Sequence, residues 1–186
     1  MSGPDTNIFL IGPMGSGKTT LGRRVARALD LEFHDCDQEL EDQTSASINL
    51  IFDIEGEAGF RERETRVLGE IASRRGVLVA TGGGVVTRKI NRDILRRNGF
   101  VVWLRTSLAQ QMKRLGRDKA RPLLQTPDRE DRLRDLARVR DPLYAELADL
   151  VFETRDRNIR LAAEELADTI RVRLNSSQDG QLNVNG

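Results

Sequence analysis

Eight residues near the start of the chain, Gly12-Pro-Met-Gly-Ser-Gly-Lys18-Thr19, follow the pattern GxxxxGK[ST]. The residue types suit one chemistry. Glycines let backbone N–H groups turn inward around a polyphosphate without Cβ clashes. Lys18 would reach the β- and γ-phosphates, and the Thr19 hydroxyl would ligate Mg²⁺. A helix opening near Gly17 would add its positive dipole end. The bland alternative is a glycine-rich turn with an exposed lysine. The context argues against it, because an apolar strand pattern precedes the motif and an amphipathic helix pattern follows.

Further along, Asp35 and Asp37 close a second strand pattern. Alternation along an extended segment puts both side chains on one side. Ligands of parallel sheets bind beyond the carboxyl ends of the strands, so both acids would face the phosphates. One can support Mg²⁺ and the other can hold an acceptor hydroxyl. An acidic turn or a helix cap is the competing reading. Thr81-Gly82-Gly83-Gly84 follows a third strand pattern. Three glycines there imply close approach by a ligand or by another chain segment; a tight strand-to-helix turn would use them too.

Two arginines stand on or beside apolar helical stripes. Arg61 and Glu64 are one turn apart, next to the stripe of Phe60, Val67 and Ile71. Arg140 shares a face with Leu133, Leu136, Ala137 and Tyr144. A buried arginine needs an anionic partner, either an internal acid or a ligand carboxylate. Arg114, Arg117 and Arg121 punctuate a charged, glycine-bearing stretch that Pro122 stiffens at its exit. A loop arginine of this kind can swing over a transferring phosphoryl group. A solvated loop explains Arg117 and Lys119 equally well. His34 is one residue from Asp35, but a lone histidine in a strand is more often structural, and Cys36, with no visible partner for chemistry, reads as packing.

The elements that must position these residues alternate along the chain. Apolar runs occur at Ile8–Ile11, Val77–Ala80, Val101–Leu104 and Leu150–Phe152, with a weaker one at Glu32–Asp35. Unbroken runs of this length predict strands buried on both faces of a parallel sheet. Helical stripes lie between them: Leu21, Val25, Ala28 and Leu29; Phe60, Val67, Leu68 and Ile71; and Leu161, Leu166 and Ile170. Strands alternating with helices predict an α/β fold with a five-stranded parallel sheet. One domain is expected over residues 1–174. A mobile lid is expected near 115–126, and residues 175–186 read as a frayed, disordered tail.

Composition narrows the partners. The 30 basic and 29 acidic residues of 186 nearly cancel, so no broad field favours nucleic acid or a membrane. Cys36 is the only cysteine, which excludes an internal disulfide. The start of the chain lacks a basic-then-apolar leader, and no apolar run approaches the roughly 18 residues of a membrane span. A cytoplasmic protein is expected.

Taken together, the motifs resemble the shikimate kinase family, from about Asn7 to Leu174. They are Gly12–Thr19, Asp35-Cys-Asp37, Gly56-Glu-x-x-Phe60-Arg61-x-x-Glu64, Gly82-Gly83-Gly84, Arg121-Pro-Leu-Leu and Arg140-x-Pro-Leu-Tyr144. The phosphate loop is shared by many families, whereas the other five in combination are far more specific. The resemblance implies a three-layer P-loop fold of the nucleoside-monophosphate-kinase kind. Its sheet order would be 2-3-1-4-5, with helices on both faces and a mobile lid. The implied activity is transfer from MgATP to the 3-hydroxyl of shikimate, on the route to chorismate and the aromatic amino acids. It implies ATP binding by Gly12, Gly15, Ser16, Gly17, Lys18, Thr19, Thr20, Arg114 and Arg121, with Arg114 stacked on adenine and Arg121 swinging in from the lid. Thr19 and Asp35 would serve Mg²⁺, and Lys18, Asp37 and Arg121 would be catalytic. Shikimate would be held by Asp37, Arg61, Arg140 and the amides of Gly82, Gly83 and Gly84, with Glu64 orienting Arg61. A monomer is implied. A related kinase for another hydroxylated acid, such as gluconate, shares the phosphate loop. A nucleotide switch would not need the second anion site that Arg61 and Arg140 suggest.

Overall fold

Five strands make one sheet, and its centre is the most apolar part of the chain. The computed structural model describes residues 4–115, 128–154 and 158–182. In chain order the strands are β1 (Asn7–Ile11), β2 (Glu32–Asp35), β3 (Val77–Ala80), β4 (Gly99–Arg105) and β5 (Leu150–Glu153). Every pairing is parallel, and the order is β2-β3-β1-β4-β5. The helices are α1 (Lys18–Leu29), α2 (Cys36–Thr44), α3 (Ile48–Ala72), α4 (Lys89–Asn98), α5 (Leu108–Leu115), α6 (Arg129–Leu147) and α7 (Ile159–Leu182). A 3₁₀ turn spans Val85–Thr87.

Period-two alternation splits the sheet between two cores. Ile8, Leu10, Leu78, Val102 and Leu104 face α1 and α7, where Leu21, Val25, Leu166 and Ile170 meet them. Phe9, Ile11, Val77, Val79, Val101 and Trp103 face the other way, onto Leu40 of α2, Phe60 and Leu68 of α3, Leu95 of α4 and Tyr144 of α6. Burying each such side chain contributes roughly 1.5–3 kcal/mol against the chain entropy lost. Of the three interior strands, β1 and β3 are buried throughout, as continuous apolar runs require, and β4 is buried from Val101 to Leu104. The edge strands are not. In β5, buried Leu150 and Phe152 alternate with exposed Val151 and Glu153, and β2 is only partly covered.

Two helical stripes differ from expectation. On α1 the inward residues are Leu21, Gly22, Val25, Ala26 and Leu29, while Ala28 is exposed. On α7, Leu161 is exposed, and Ala162, Ala163, Leu166, Ala167 and Ile170 are buried. The cause is the close contact between α1 and α7. On α7 the small Ala162, Ala163 and Ala167 let the two helices approach, and the larger Leu161 turns outward. α7 also runs on to Leu182, across part of the polar segment read as a frayed tail. Helix propagation needs no apolar face once a packed segment has nucleated it.

The sheet topology leaves the carboxyl ends of β1, β2 and β3 side by side. The phosphate loop leaves β1, Asp35 ends β2, and the Gly82–Gly84 turn leaves β3. Three sequence-distant motifs therefore meet at one edge.

Candidate active site

The phosphate loop joins β1 to α1. Gly17 precedes α1 in a left-handed conformation (φ 91°), a geometry that glycine adopts without Cβ strain. No side chain caps α1, and its first turn holds no acid. The first-turn amides and the positive helix end thus favour an incoming anion. Lys18 is buried, and its Nζ donates to Gly12 O at 2.7 Å, Pro13 O at 2.9 Å and Ser16 Oγ at 3.3 Å. The ammonium thus spans the loop it belongs to. Thr20, the next residue on α1, is exposed.

Asp35 bonds both to Thr19 and to the start of α2. Its Oδ2 accepts from Thr19 Oγ1 at 2.6 Å. Its Oδ1 accepts from the amides of Asp37 at 3.1 Å and Gln38 at 3.4 Å, which caps α2. The cap corrects one expectation. Asp37 does not sit on an extended segment beside Asp35, because the strand stops at Asp35 and Cys36 already belongs to α2. Asp37 reaches the edge from the first helical turn instead, with Oδ1 3.3 Å from where a Cβ on Gly82 would stand.

Thr19 and Asp35 supply two hard oxygens in contact, next to the phosphate cradle. That set fits Mg²⁺, which takes one or two protein oxygens and completes its shell with water and phosphate. Among the described residues no group of three or more His, Cys, Asp or Glu side chains could form a fuller protein cage.

Across the edge, α3 brings Arg61 and Glu64 against the glycine turn. Arg61 Nη1 donates to Glu64 Oε2 at 2.8 Å, and Nη2 reaches the more exposed Glu57 at 3.4 Å. Glu64 is 2% exposed and Arg61 14%. Burial pushes the Glu64 carboxyl above its ordinary value, opposed by the Arg61 charge beside it. Two atoms of the pair, Arg61 Nε and Glu64 Oε1, have no hydrogen-bond partner among the described residues. The turn accommodates both groups only because it lacks side chains. A Cβ on Gly84 would collide with the Arg61 guanidinium, and one on Gly82 would lie 2.6 Å from Glu64 Oε1.

Arg140 approaches the same turn from α6. Its Nη1 lies 3.7 Å from the position of a Gly83 Cβ, which would also lie 3.3 Å from the Met14 amide nitrogen of the phosphate loop. Arg140 lines a narrow cleft with Pro13, Met14, Leu136 and Tyr144. On the far side of the loop, Arg114 Nη1 donates to Gly15 O at 3.0 Å, and Leu115 packs against Gly15. Arg121, Arg117 and the lid expected near 115–126, apart from Leu115, lie outside the described residues.

Several residues around the site were not singled out from sequence. Arg88 Nη1 donates to Arg61 O at 2.9 Å and Thr65 Oγ1 at 3.0 Å, which ties α3 to the segment after the glycine turn. Asn91 and Arg92 bind carbonyls of the 3₁₀ turn. A cluster of polar residues opening a helix right after three glycines was the available signal. Cys36 is buried, and burial pushes its thiol well above the usual value, so it packs rather than reacts. His34 bonds Glu39 through Nδ1 at 2.7 Å and lies 3.0 Å from Glu32, a structural bridge between β2 and α2.

A glycine-rich phosphate loop between a buried strand and a helix, facing a second cationic cleft, defines a P-loop phosphotransferase. Residues 14–171 match the family model described as "SKI: Shikimate kinase". A shikimate kinase from Pseudomonas paraeruginosa is 51% identical over 165 residues, which are 89% of this chain and 96% of the relative. One from Shewanella loihica is 47% identical over 164 residues, 88% of this chain and 96% of the relative. Among solved structures, the shikimate kinase from Acinetobacter baumannii in complex with shikimate is 48% identical. It aligns with a TM-score of 0.86 over 90% of this chain and 94% of that one. The chain belongs to the shikimate kinase family. A gluconokinase from Sinorhizobium meliloti has a TM-score of 0.59 at 18% identity, covering 92% of this chain and 98% of that one, so it shares the fold alone.

Proposed function

We propose that this chain transfers the γ-phosphoryl group of MgATP to the 3-hydroxyl of shikimate, giving shikimate 3-phosphate and ADP. The carrying observation is the second cationic cleft. Arg61 and Arg140 converge on the amides of Gly82–Gly84, within contact distance of the phosphate loop. Shikimate carries one carboxylate and several ring hydroxyls, so its recognition calls for planar guanidinium groups, a hydroxyl acceptor and backbone donors.

The loop amides and Lys18 hold the β- and γ-phosphates, and Ser16 and Thr20 flank them. Arg114, which donates to Gly15 O, would stack on adenine. Thr19 and Asp35 would hold Mg²⁺, which when bound neutralises phosphate charge. Asp37 accepts a hydrogen bond from the acceptor hydroxyl and keeps its oxygen in line with the γ-phosphorus. The new bond joins that oxygen to phosphorus, the bond from phosphorus to the bridging oxygen of ADP breaks, and the hydroxyl proton leaves along the hydrogen bond to Asp37 and on to solvent. Asp37 is assigned to alignment, which is most of what phosphoryl transfer asks of a protein. Arg121, outside the described residues, would supply charge to the transferring phosphoryl group. A monomer acting in the cytoplasm, without nucleic acid or membrane, fits this reading. Among the described residues no helix is long and apolar enough to cross a membrane.

The test is coupled ADP release with a panel of hydroxy acids. Turnover is expected with shikimate and not with gluconate; release with gluconate alone would overturn the proposal. A second measurement tests the acceptor cleft. Gly84 has φ −93°, which alanine adopts without strain, so Gly84→Ala should leave the backbone in place. The new Cβ displaces the Arg61 guanidinium. The expected result is a rise in KM for shikimate of about tenfold, the range for one charge-assisted hydrogen bond, together with a lowered Tm, because the displaced guanidinium is also the partner of buried Glu64. An unaltered KM would remove Arg61 from the acceptor site.

A further inference from the structure

The glycine turn can offer amides to a ligand only if its peptide planes are held in one orientation, and its carbonyls are tied down one after another. Gly82 O accepts from the amide of Val85 at 3.2 Å. Gly83 O accepts from the hydroxyl of Tyr144. Gly84 O accepts from Thr87 Oγ1 at 2.7 Å and from the Thr87 amide at 3.0 Å. Val85 O accepts from Asn91 Nδ2 at 3.0 Å, Val86 O from Arg92 Nη1 at 2.6 Å, and Thr87 O from the same nitrogen at 3.2 Å. Six consecutive carbonyls thus have donors from α4, α6 or the turn itself.

In a planar trans peptide, C=O and the following N–H point in opposite directions. Fixing the Gly83 carbonyl towards α6 therefore fixes the Gly84 N–H away from it. The Gly82 carbonyl does the same for the Gly83 N–H. Tyr144 is suited to the task. It is fully buried, its ring is tilted against Trp103 with centroids 5.7 Å apart, and burial pushes its hydroxyl above the ordinary value, so it remains a donor. It also stands one helical turn after Arg140, so one stretch of α6 meets Gly83 with both a phenol and a guanidinium.

We propose that Tyr144 is a positioning residue for the acceptor: it holds the Gly83 carbonyl, and Thr87, Asn91 and Arg92 hold the carbonyls of Gly84–Thr87 behind it, so that the amide of Gly84 faces the bound hydroxy acid. This rests on the reading of that turn as part of the shikimate site. Tyr144 itself touches no substrate, and acts through the peptide it holds.

The experiment is steady-state kinetics and thermal unfolding of the wild type, Tyr144→Phe, Thr87→Val and Thr87→Ser. Tyr144→Phe keeps the ring and removes only the donor. KM for shikimate should rise about three- to tenfold, the worth of one neutral hydrogen bond, while KM for ATP stays within about twofold. Thr87→Val should raise KM for shikimate in the same sense, and Thr87→Ser, which keeps the hydroxyl, should restore it. Thr87 is exposed, so its variants test the clamp even if Tyr144→Phe does not fold. A lowered Tm with KM for shikimate unmoved in both Tyr144→Phe and Thr87→Val would make these bonds purely structural and overturn the clamp. Wild-type protein that does not phosphorylate shikimate would instead overturn the functional reading on which the clamp rests.

Discussion

Lys18→Ala is expected to lower kcat roughly a hundred- to a thousandfold, the loss seen when one charge-stabilising donor is removed from a transition state. The ammonium faces the cradle and donates to Gly12 O, Pro13 O and Ser16 Oγ. Those three acceptors belong to the loop that must receive phosphate. Tm should fall little beside the loss of rate. KM for shikimate should stay within a few-fold, because the acceptor cleft is built from α3, α6 and the glycine turn. An interaction made only in the transition state lowers kcat and kcat/KM together. Near-normal turnover by a folded variant would sink the phosphate-loop assignment. A collapse in Tm matching the loss of rate would make Lys18 a structural tie instead.

Arg61→Lys and Arg140→Lys should each weaken shikimate binding by about 1–3 kcal/mol, the range for hydrogen bonds to charged groups. ATP binding in the absence of shikimate should be almost unchanged. Lysine keeps the charge but loses the planar fork, so two parallel contacts become at best one. Arg61 needs a sharper control, because it has an internal acid, Glu64, at 2.8 Å. A carboxylate 2% exposed cannot be left uncompensated without a cost in stability. Arg61→Lys should thus lower Tm as well as affinity. Arg140→Lys should lower affinity with a smaller change in Tm. Melting temperature and shikimate affinity measured on the same variants decide the matter. Stability lost with affinity intact would leave Arg61 as nothing more than the partner of Glu64.

The comparison between Asp35 and Asp37 shows how far sequence reasoning reaches. Residue type and spacing put two acids near a phosphate loop. Whether a strand continued through both, or a cap stopped it at Asp35, depended on a local contest between two backbone geometries. The amides of Asp37 and Gln38 needed an acceptor, and Asp35 Oδ1 supplied it while Oδ2 met Thr19. The same limit applies to α1 and α7. Periodicity selected Ala28 and Leu161 as inward residues, and the close packing of the two helices selected Ala26 and Ala162 instead.

Local patterns were enough for the phosphate loop, the five strands and the presence of arginines on apolar faces. These features depend on neighbours in sequence: glycine freedom in a turn, the period of side chains along a strand, and the spacing of one helical turn. The resemblance carried by the six motifs then supplied the sheet order. Tertiary structure alone decided which groups meet. It set Arg61 against Gly84, Glu64 against Gly82, Arg140 and Tyr144 against Gly83, and Arg88 on the backbone of Arg61. Those pairs are separated by 18 to 61 residues in the chain. Long-range contact of this kind has no local signature, because it is fixed by how the sheet orders its strands and by how closely backbone without side chains lets a guanidinium or a phenol approach.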